Sequence, residues 1–248
     1  MFGRSVRRPS ALLLLFIFLC GPTQAIAKKR NFVNGLPFGV GFAGGIEKPP
    51  QSNFAAGTQT ASSSYSKYFA VQPFFDLVNV AFRLTLGWHF YPLLNGAGTD
   101  THGNFTESSD GGSFDYGARI LLAPYVNHAL DQRVYFILGM GQSLVKLKNI
   151  RKYSSGTFAG QSFSEQVQGT GLETNAGVGY EFFVLQNYSL QLEAGYAQRE
   201  ADSFKYRTST DVANQTHPSG AEDLDAAGRP RGFHVWSPYA QIVLNLNL

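Results

Sequence analysis

The chain contains very little cysteine, methionine or tryptophan. Its 248 residues include one Cys, two Met and two Trp. A single cysteine, Cys20, cannot form an intrachain disulfide framework. Beyond residue 27 the sequence has no run of 18 apolar residues and no long heptad pattern, which excludes a transmembrane helix and a coiled coil.

The N-terminus has the pattern of a targeting segment. Arg4, Arg7 and Arg8 precede the apolar run ALLLLFIFLC, and the small residues AIA follow at 25–27. This pattern predicts a secretory signal peptide over 1–27 that is cleaved after Ala27, leaving one domain over 28–248. Cleavage removes three Arg and leaves 17 basic and 17 acidic residues. The pI of 8.9 therefore does not indicate a nucleic-acid partner.

What the sequence does contain is strict alternation. In NVAFRLTLGWHFYP, residues 79–92, large apolar side chains occupy every second position, and this period of two predicts a β-strand with one apolar face. Seven further segments alternate in the same way. The eight predicted strands cover 37–48, 66–77, 79–91, 114–127, 132–146, 168–183, 187–201 and 233–248. Each is long enough to cross a bilayer as a tilted strand.

The connections between these strands alternate between short and long. Tight links lie around Val78, at 128–131 and at 184–187, whereas the segments 49–65, 92–113, 147–167 and 202–232 are long. An up-and-down barrel places all its short turns at one end and all its long loops at the other. We therefore expect four solvated extracellular loops, with both termini in the periplasm.

The distribution of lysine indicates which face meets lipid. All eight Lys after residue 27 fall at the N-terminus, at strand ends or in predicted loops. A strand surface facing water would carry Lys along its length, so the apolar faces are predicted to point outward. The predicted lipid-facing residues are Phe82, Leu84, Leu86, Trp88, Leu122, Leu190 and Leu192. The predicted lumen charges are Arg83, Asp115, Arg119, Glu173, Glu181, Glu193 and Arg199. Most should be paired in so narrow a space, and Arg83 and Arg119 are each expected to have an acidic neighbour.

Three segments resemble those of small bacterial outer-membrane barrels: NAGVGYEFF at 175–183, LQLEAGYAQRE at 190–200 and SPYAQIVLNLNL at 237–248. The sequence is similar to the OmpA/OmpX-type and OmpW-type proteins over nearly the whole mature chain. This resemblance implies an all-β fold, an eight-stranded antiparallel up-and-down transmembrane β-barrel in a bacterial outer membrane. It also implies two partners, outer-membrane lipid and the machinery that inserts such barrels.

No motif predicts a catalytic, cofactor or metal site. His234 and Ser237 are three residues apart in a strand, so they face opposite sides and do not suggest a nucleophile and its base. The remaining candidates are His102, His128 and His217, the acidic group Glu222, Asp223 and Asp225, and the glycine-rich 39–45. The histidines are isolated, the acidic group fits a solvated loop, and the glycines lack the Lys of a phosphate loop.

The leading functional hypothesis is therefore a non-enzymatic surface protein acting through envelope structure or loop contacts. Aromatic residues in the long loops are the expected contact points: Phe105, Phe158, Phe163 and Tyr206. The alternatives are a narrow channel for small or hydrophobic solutes, a lipid-modifying enzyme and a soluble lipocalin-like carrier. The lumen charges would form a structural plug in the first case and a gate in the second.

Overall fold

A computed structural model describes residues 38–48, 58–60, 65–77, 79–127, 131–185, 187–212, 215–224 and 228–248. The predicted signal peptide at 1–27, with Cys20, lies outside the described residues, as do His128, Asp225 and most of the segment 49–65. Within the described ranges there is no helix long and apolar enough to cross a membrane.

The described residues form twelve strands. They are β1 (Phe38–Glu47), β2 (Thr58–Thr60), β3 (Ser66–Leu77), β4 (Val80–Asp100), β5 (Gly103–Asn127), β6 (Gln132–Tyr153), β7 (Ser162–Leu185), β8 (Tyr188–Ala201), β9 (Lys205–Tyr206), β10 (Thr210–Val212), β11 (Gln215–His217) and β12 (Phe233–Asn247). Eight of them close into a ring, each antiparallel to its neighbours, in the order β1, β3, β4, β5, β6, β7, β8 and β12. The ring closes at β1, which pairs with β3 on one side and with β12 on the other. Ile46, for example, is opposite both Lys67 of β3 and Ala240 of β12. The predicted all-β, eight-stranded antiparallel barrel is confirmed.

Four strands extend beyond their predicted ends. The segments 92–113 and 147–167 were expected to be solvated loops, but β4 continues to Asp100, β5 begins at Gly103, β6 continues to Tyr153 and β7 begins at Ser162. Only a short turn at 101–102 and a longer one at 154–161 remain outside strands. We call the paired residues 95–100, 103–110, 146–153 and 162–170 the outer platform. The loop prediction was wrong there because residues rich in Ser, Thr and Gly form strands when paired on both sides.

The barrel wall has an apolar exterior and a polar interior. Leu84 and Phe82 are 60% and 46% exposed on the outer surface, while Arg83 between them is buried at 1%. From Val80 to Phe90 the apolar band of β4 covers ten residue steps, which at about 3.3 Å per residue and a tilt of about 40° gives a height of about 25 Å. That is the height of the hydrocarbon band in transmembrane barrels, so the wall spans a membrane.

The described residues of the segment 202–232 fold over the end of the barrel on the platform side. Phe204 is fully buried, and β9 pairs with β7 through Val167 and Tyr206. Together these side chains form an apolar cap with inward-facing residues of the barrel and platform: Tyr91, Val145, Leu147, Val167, Ala201, Phe204 and Tyr206. The inner face of the platform is therefore covered, and its outer face is left exposed.

Candidate functional site: the charged lumen and the outer platform

Near the short turns, Arg133 links three strands inside the barrel. Its Nε donates to Glu181 Oε2 at 2.5 Å, and its Nη1 donates to Asp76 Oδ1 at 2.9 Å. Asn245 Nδ2 also donates to Glu181 Oε1, at 3.1 Å, and the Ser189 hydroxyl donates to the same oxygen. One guanidinium therefore bridges two carboxylates, from β3 and β7, at this end of the lumen.

Halfway along the lumen, Glu193 is the acceptor around which the next layer is built. Arg119 Nη1 lies 3.5 Å from Glu193 Oε2, the Tyr135 hydroxyl donates to Oε1 at 3.2 Å, and Gln241 Nε2 donates to Oε2. The Arg119 guanidinium also lies over the ring of Tyr239, 6.0 Å from its centroid. Side chains of β5, β6, β8 and β12 thus meet across the barrel.

Toward the platform, Arg199 is surrounded by three carboxylates. Its Nη1 donates to Glu47 Oε1 at 2.6 Å, its Nε lies 3.4 Å from Asp115 Oδ2, and its Nη2 lies 3.5 Å from Glu173 Oε1. His89 bridges the same group, with Nε2 2.7 Å from Asp115 and Nδ1 3.1 Å from Glu47. This layer joins charges from β1, β4, β5, β7 and β8.

The structure places all seven of the charges predicted for the lumen inside the barrel wall, each buried: Arg83, Asp115, Arg119, Glu173, Glu181, Glu193 and Arg199. Arg83 was expected to have an acidic neighbour, but its contacts are different. It donates to Gln72 Oε1 at 3.1 Å and lies over the Phe74 ring at 5.0 Å. Among the described residues no carboxylate lies within 4 Å of its guanidinium.

Among the described residues, the ion pairs of the lumen include four further side chains that the sequence interpretation did not single out: Glu47, Asp76, His89 and Arg133. His89 and Arg133 lie in phase with the inward positions of their strands, so the alternation already contained the signal for them. Glu47 and Asp76 lie at the ends of their strands, where the phase is hardest to assign from sequence.

These layers leave little open space. A cavity beside Glu47, Tyr68, His89, Arg119 and Arg199 has a volume of about 10 Å³. That volume is close to the minimum that one water molecule requires. The apolar cap lies beyond this layer, so the described residues block the lumen with ion pairs and then with apolar side chains.

A second charged cluster lies between the platform and the segment that covers it. Arg231 lies 3.6 Å from each of Glu107, Glu165 and Asp223. Asp223 was expected in a solvated loop, but it is fully buried and accepts a hydrogen bond from the Tyr206 hydroxyl at 3.2 Å. Burial is the main reason that the pKa of Asp223 is raised to about 7; the nearby Glu165 adds to the shift and Arg231 opposes it.

The aromatic residues expected to be contact points on loop tips are packed instead. Phe105, Phe158 and Tyr206 are buried, and Phe163 packs against Phe158 with ring centroids 5.5 Å apart. They cannot bind a partner without unfolding the platform, so that expectation was wrong. In these segments the buried phase of the strand, and not loop exposure, sets the position of each aromatic ring.

The other sequence candidates are dispersed. Ser237 is buried and donates to the carbonyl of Lys48 at 3.0 Å, whereas the exposed His234 accepts from Trp236 Nε1 at 2.9 Å. His102 packs on Phe158, and His217 stacks on Tyr206. Over the described ranges, no three His, Cys, Asp or Glu side chains are grouped as a metal site would require.

No family model matches the sequence, and no curated protein matches it significantly. Among solved structures, the chain is similar to a major outer membrane protein from Thermus thermophilus, with 13% identity, 85% of this chain and 99% of that chain covered, and a TM-score of 0.47. It is also similar to Neisserial surface protein A, with 14% identity, 86% and 97% covered, and a TM-score of 0.34. A third is the attachment invasion locus protein Ail of Yersinia pestis, with 13% identity, 84% and 96% covered, and a TM-score of 0.34. The resemblance to small outer-membrane barrels is confirmed, and at these identities it does not extend to function or to single residues.

Proposed function

We propose that this protein is a non-conducting barrel of a bacterial outer membrane that holds a rigid platform outside the cell. In this proposal both termini are periplasmic, the barrel anchors the chain in lipid, and the platform contacts an extracellular partner. No enzymatic step is assigned to it. The observation that carries the proposal is the division of the molecule into a blocked lumen and an ordered, packed extension of four barrel strands.

The blocked lumen argues against the competing channel function. Passage would require separating Arg199 from three carboxylates and also moving Phe204 out of the apolar cap. Breaking one buried pair by removing a partner typically costs about 3–5 kcal/mol, and here several pairs lie along the same path. A structural plug therefore fits the described contacts better than a gate.

The outer face of the platform is the surface that we expect to bind. Thr106, Ile150, Lys152 and Ser164 lie on it with exposed side chains, while the residues alternating with them are buried or half-buried. Because the strands are paired and the inner face is packed, these side chains are held in fixed positions. Binding residues on a rigid support lose little conformational entropy when a partner docks.

Conductance and contact can be tested separately. Refolded full-length mature protein should give no conductance steps in planar bilayers, and regular steps would support the channel instead. For the platform, Gly96 and Glu107 are paired partners, as are Asn149 and Glu165. Residues 97–106 and 150–164 can therefore each be replaced by an Asn-Gly turn without changing the register below.

The trimmed protein should still insert, and bacteria displaying it should lose adhesion to surfaces that retain bacteria displaying the full chain. A double variant, Ile150→Glu with Lys152→Glu, should lose adhesion with the platform intact. Lys205→Glu is the matched control, because Lys205 is an exposed lysine on β9 opposite Gln168, at the base of the platform and away from Ile150 and Lys152. If the trimmed barrel inserts and keeps all adhesion, the platform is not the contact surface.

A further inference from the structure

A groove runs along the outer surface at the level where the barrel wall becomes the platform. Its volume is about 720 Å³. The apolar side chains of Trp88, Phe90 and Phe114 line its lower part, and Lys146, Lys148 and Arg207 line its upper part. None of these six side chains belongs to the lumen network or to the four contact residues named for the platform.

The strand register explains why a groove forms there. Phe90 of β4, Gly112 of β5 and Lys146 of β6 are paired neighbours in one row. Gly112 has no side chain, so the row has a gap between the aromatic ring and the lysine. A Cβ at this position would lie 2.1 Å from the carbonyl oxygen of His89, so the gap cannot be filled by a larger residue without moving β4.

A β-bulge in β4 widens the same place. The register between β4 and β5 shifts between Tyr91 and Leu94, one strand step beyond Phe90. Bulges bend a strand and increase its local twist, and they are common at the rims of barrels. This irregularity therefore lies directly beside the gap at Gly112.

The groove combines an apolar part with a basic part in a fixed order. Trp88, Phe114 and Leu144 form the row below the gap, at the outer end of the lipid-facing band. Lys146 and Lys148 follow on β6, at about 7 Å per pair of residues, and Arg207 faces them from the covering segment. Of the described residues that line the groove, Asp110 alone is acidic, against two lysines and one arginine, so their net charge is positive.

We propose that this groove binds a membrane lipid whose headgroup carries phosphate. The acyl chain lies on Trp88, Phe114 and Leu144, and the phosphate is bound by Lys146, Lys148 and Arg207. A free phosphate ion would make no use of the apolar part, which is why we assign a lipid. The inference depends on the barrel lying in a membrane and is independent of any contact made by the platform.

The test uses the full-length mature protein refolded in a zwitterionic detergent, with phosphatidic acid as the probe and native mass spectrometry as the measurement. The triple variant Lys146→Gln, Lys148→Gln and Arg207→Gln should bind phosphatidic acid at least tenfold more weakly than the wild type. Trp88→Ala should also weaken binding severalfold. The matched control is Lys48→Gln with Arg229→Gln, which removes two exposed cations that do not line the groove and should bind within twofold of the wild type.

Two comparisons identify the part of the lipid that is recognised. Diacylglycerol, which lacks the phosphate, should bind at least tenfold more weakly than phosphatidic acid, and inorganic phosphate should compete only at concentrations far above that of the lipid. Heat-dependent gel mobility confirms that each variant has folded. The proposal is overturned if the folded triple variant binds like the wild type. It is also overturned if diacylglycerol binds equally well, or if inorganic phosphate competes at the concentration of the lipid.

Discussion

The buried carboxyl of Asp223 should make the stability of the covering segment depend on pH. It lies between Arg231, Glu165 and the Tyr206 hydroxyl, with Glu107 on the far side of Arg231. Burial raises its pKa from the ordinary value of 3.8 to about 7. Between these two pH values the carboxyl is protonated in the folded segment and ionised in the unfolded segment. The contribution of Asp223 to stability is therefore fully present below about pH 4 and is lost as the pH rises toward 7.

The size of the effect follows from the same values. Each tenfold change in proton concentration contributes about 1.4 kcal/mol while the two states differ by one proton. Over the full interval from 3.8 to about 7 the loss approaches about 4 kcal/mol. Between pH 5.5 and 8, where the barrel can be handled easily, it is about 2 kcal/mol, a factor of about 30 in the opening equilibrium.

Hydrogen exchange read by mass spectrometry can measure this opening in peptides that contain Phe204, Tyr206 and Asp223. After correction for the intrinsic pH dependence of exchange, wild-type protection should fall about thirtyfold from pH 5.5 to 8. Asp223→Asn should remove most of this dependence of protection on pH. A small dependence should remain, because the pKa of the buried Glu107 is also raised. Asp202→Asn changes an exposed acid of the same segment and should leave the slope unchanged. Equal protection at both pH values in the wild type would refute this account.

Three further substitutions test the barrel and the platform. Leu84→Arg should destabilise the refolded barrel by about 2–4 kcal/mol in urea titrations in lipid, because it places a charge on the lipid face, and no change would contradict that orientation. Arg199→Met removes the guanidinium that Glu47, Asp115 and Glu173 share and should cost about 3–5 kcal/mol; adding Glu47→Gln should restore part of this. Phe158→Ala should cost about 3–5 kcal/mol of platform stability. It should appear as proteolysis within 149–165 while the barrel stays folded, and a platform that stays resistant would argue against this packing.

The membrane part of the fold was predictable because one physical rule governs it along its whole length. Lipid outside and a narrow lumen inside force a period of two, as in Phe82, Arg83 and Leu84. The platform follows the same period without lipid, so its outward positions carry polar residues such as Thr106 and Lys152. With polar residues also facing inward at Glu107, the sequence there has too little contrast to distinguish a strand from a loop.

The lumen charges were predictable one residue at a time, whereas their partners were not. Alternation gives the face on which Arg199 lies, but its partner depends on how far neighbouring strands are shifted along one another. Arg199 meets Glu47, which is 152 residues away in the sequence. Asp223 shows the same limit more strongly, because its segment has no periodicity and its burial depends entirely on where the platform lies.

The apolar cap separates the charged cluster of the lumen from the charged cluster of the platform. The lumen charges pair among themselves, and the platform charges around Arg231 pair among themselves. Between the two clusters lie Tyr91, Val145 and Phe204, which carry no charge and exclude water. Substitutions on the two sides share no partners, so their effects on stability should be nearly additive. A platform that can change without weakening its anchor is what a surface-contact function needs, and a channel, whose outer segments must act on the lumen, would have no use for that separation.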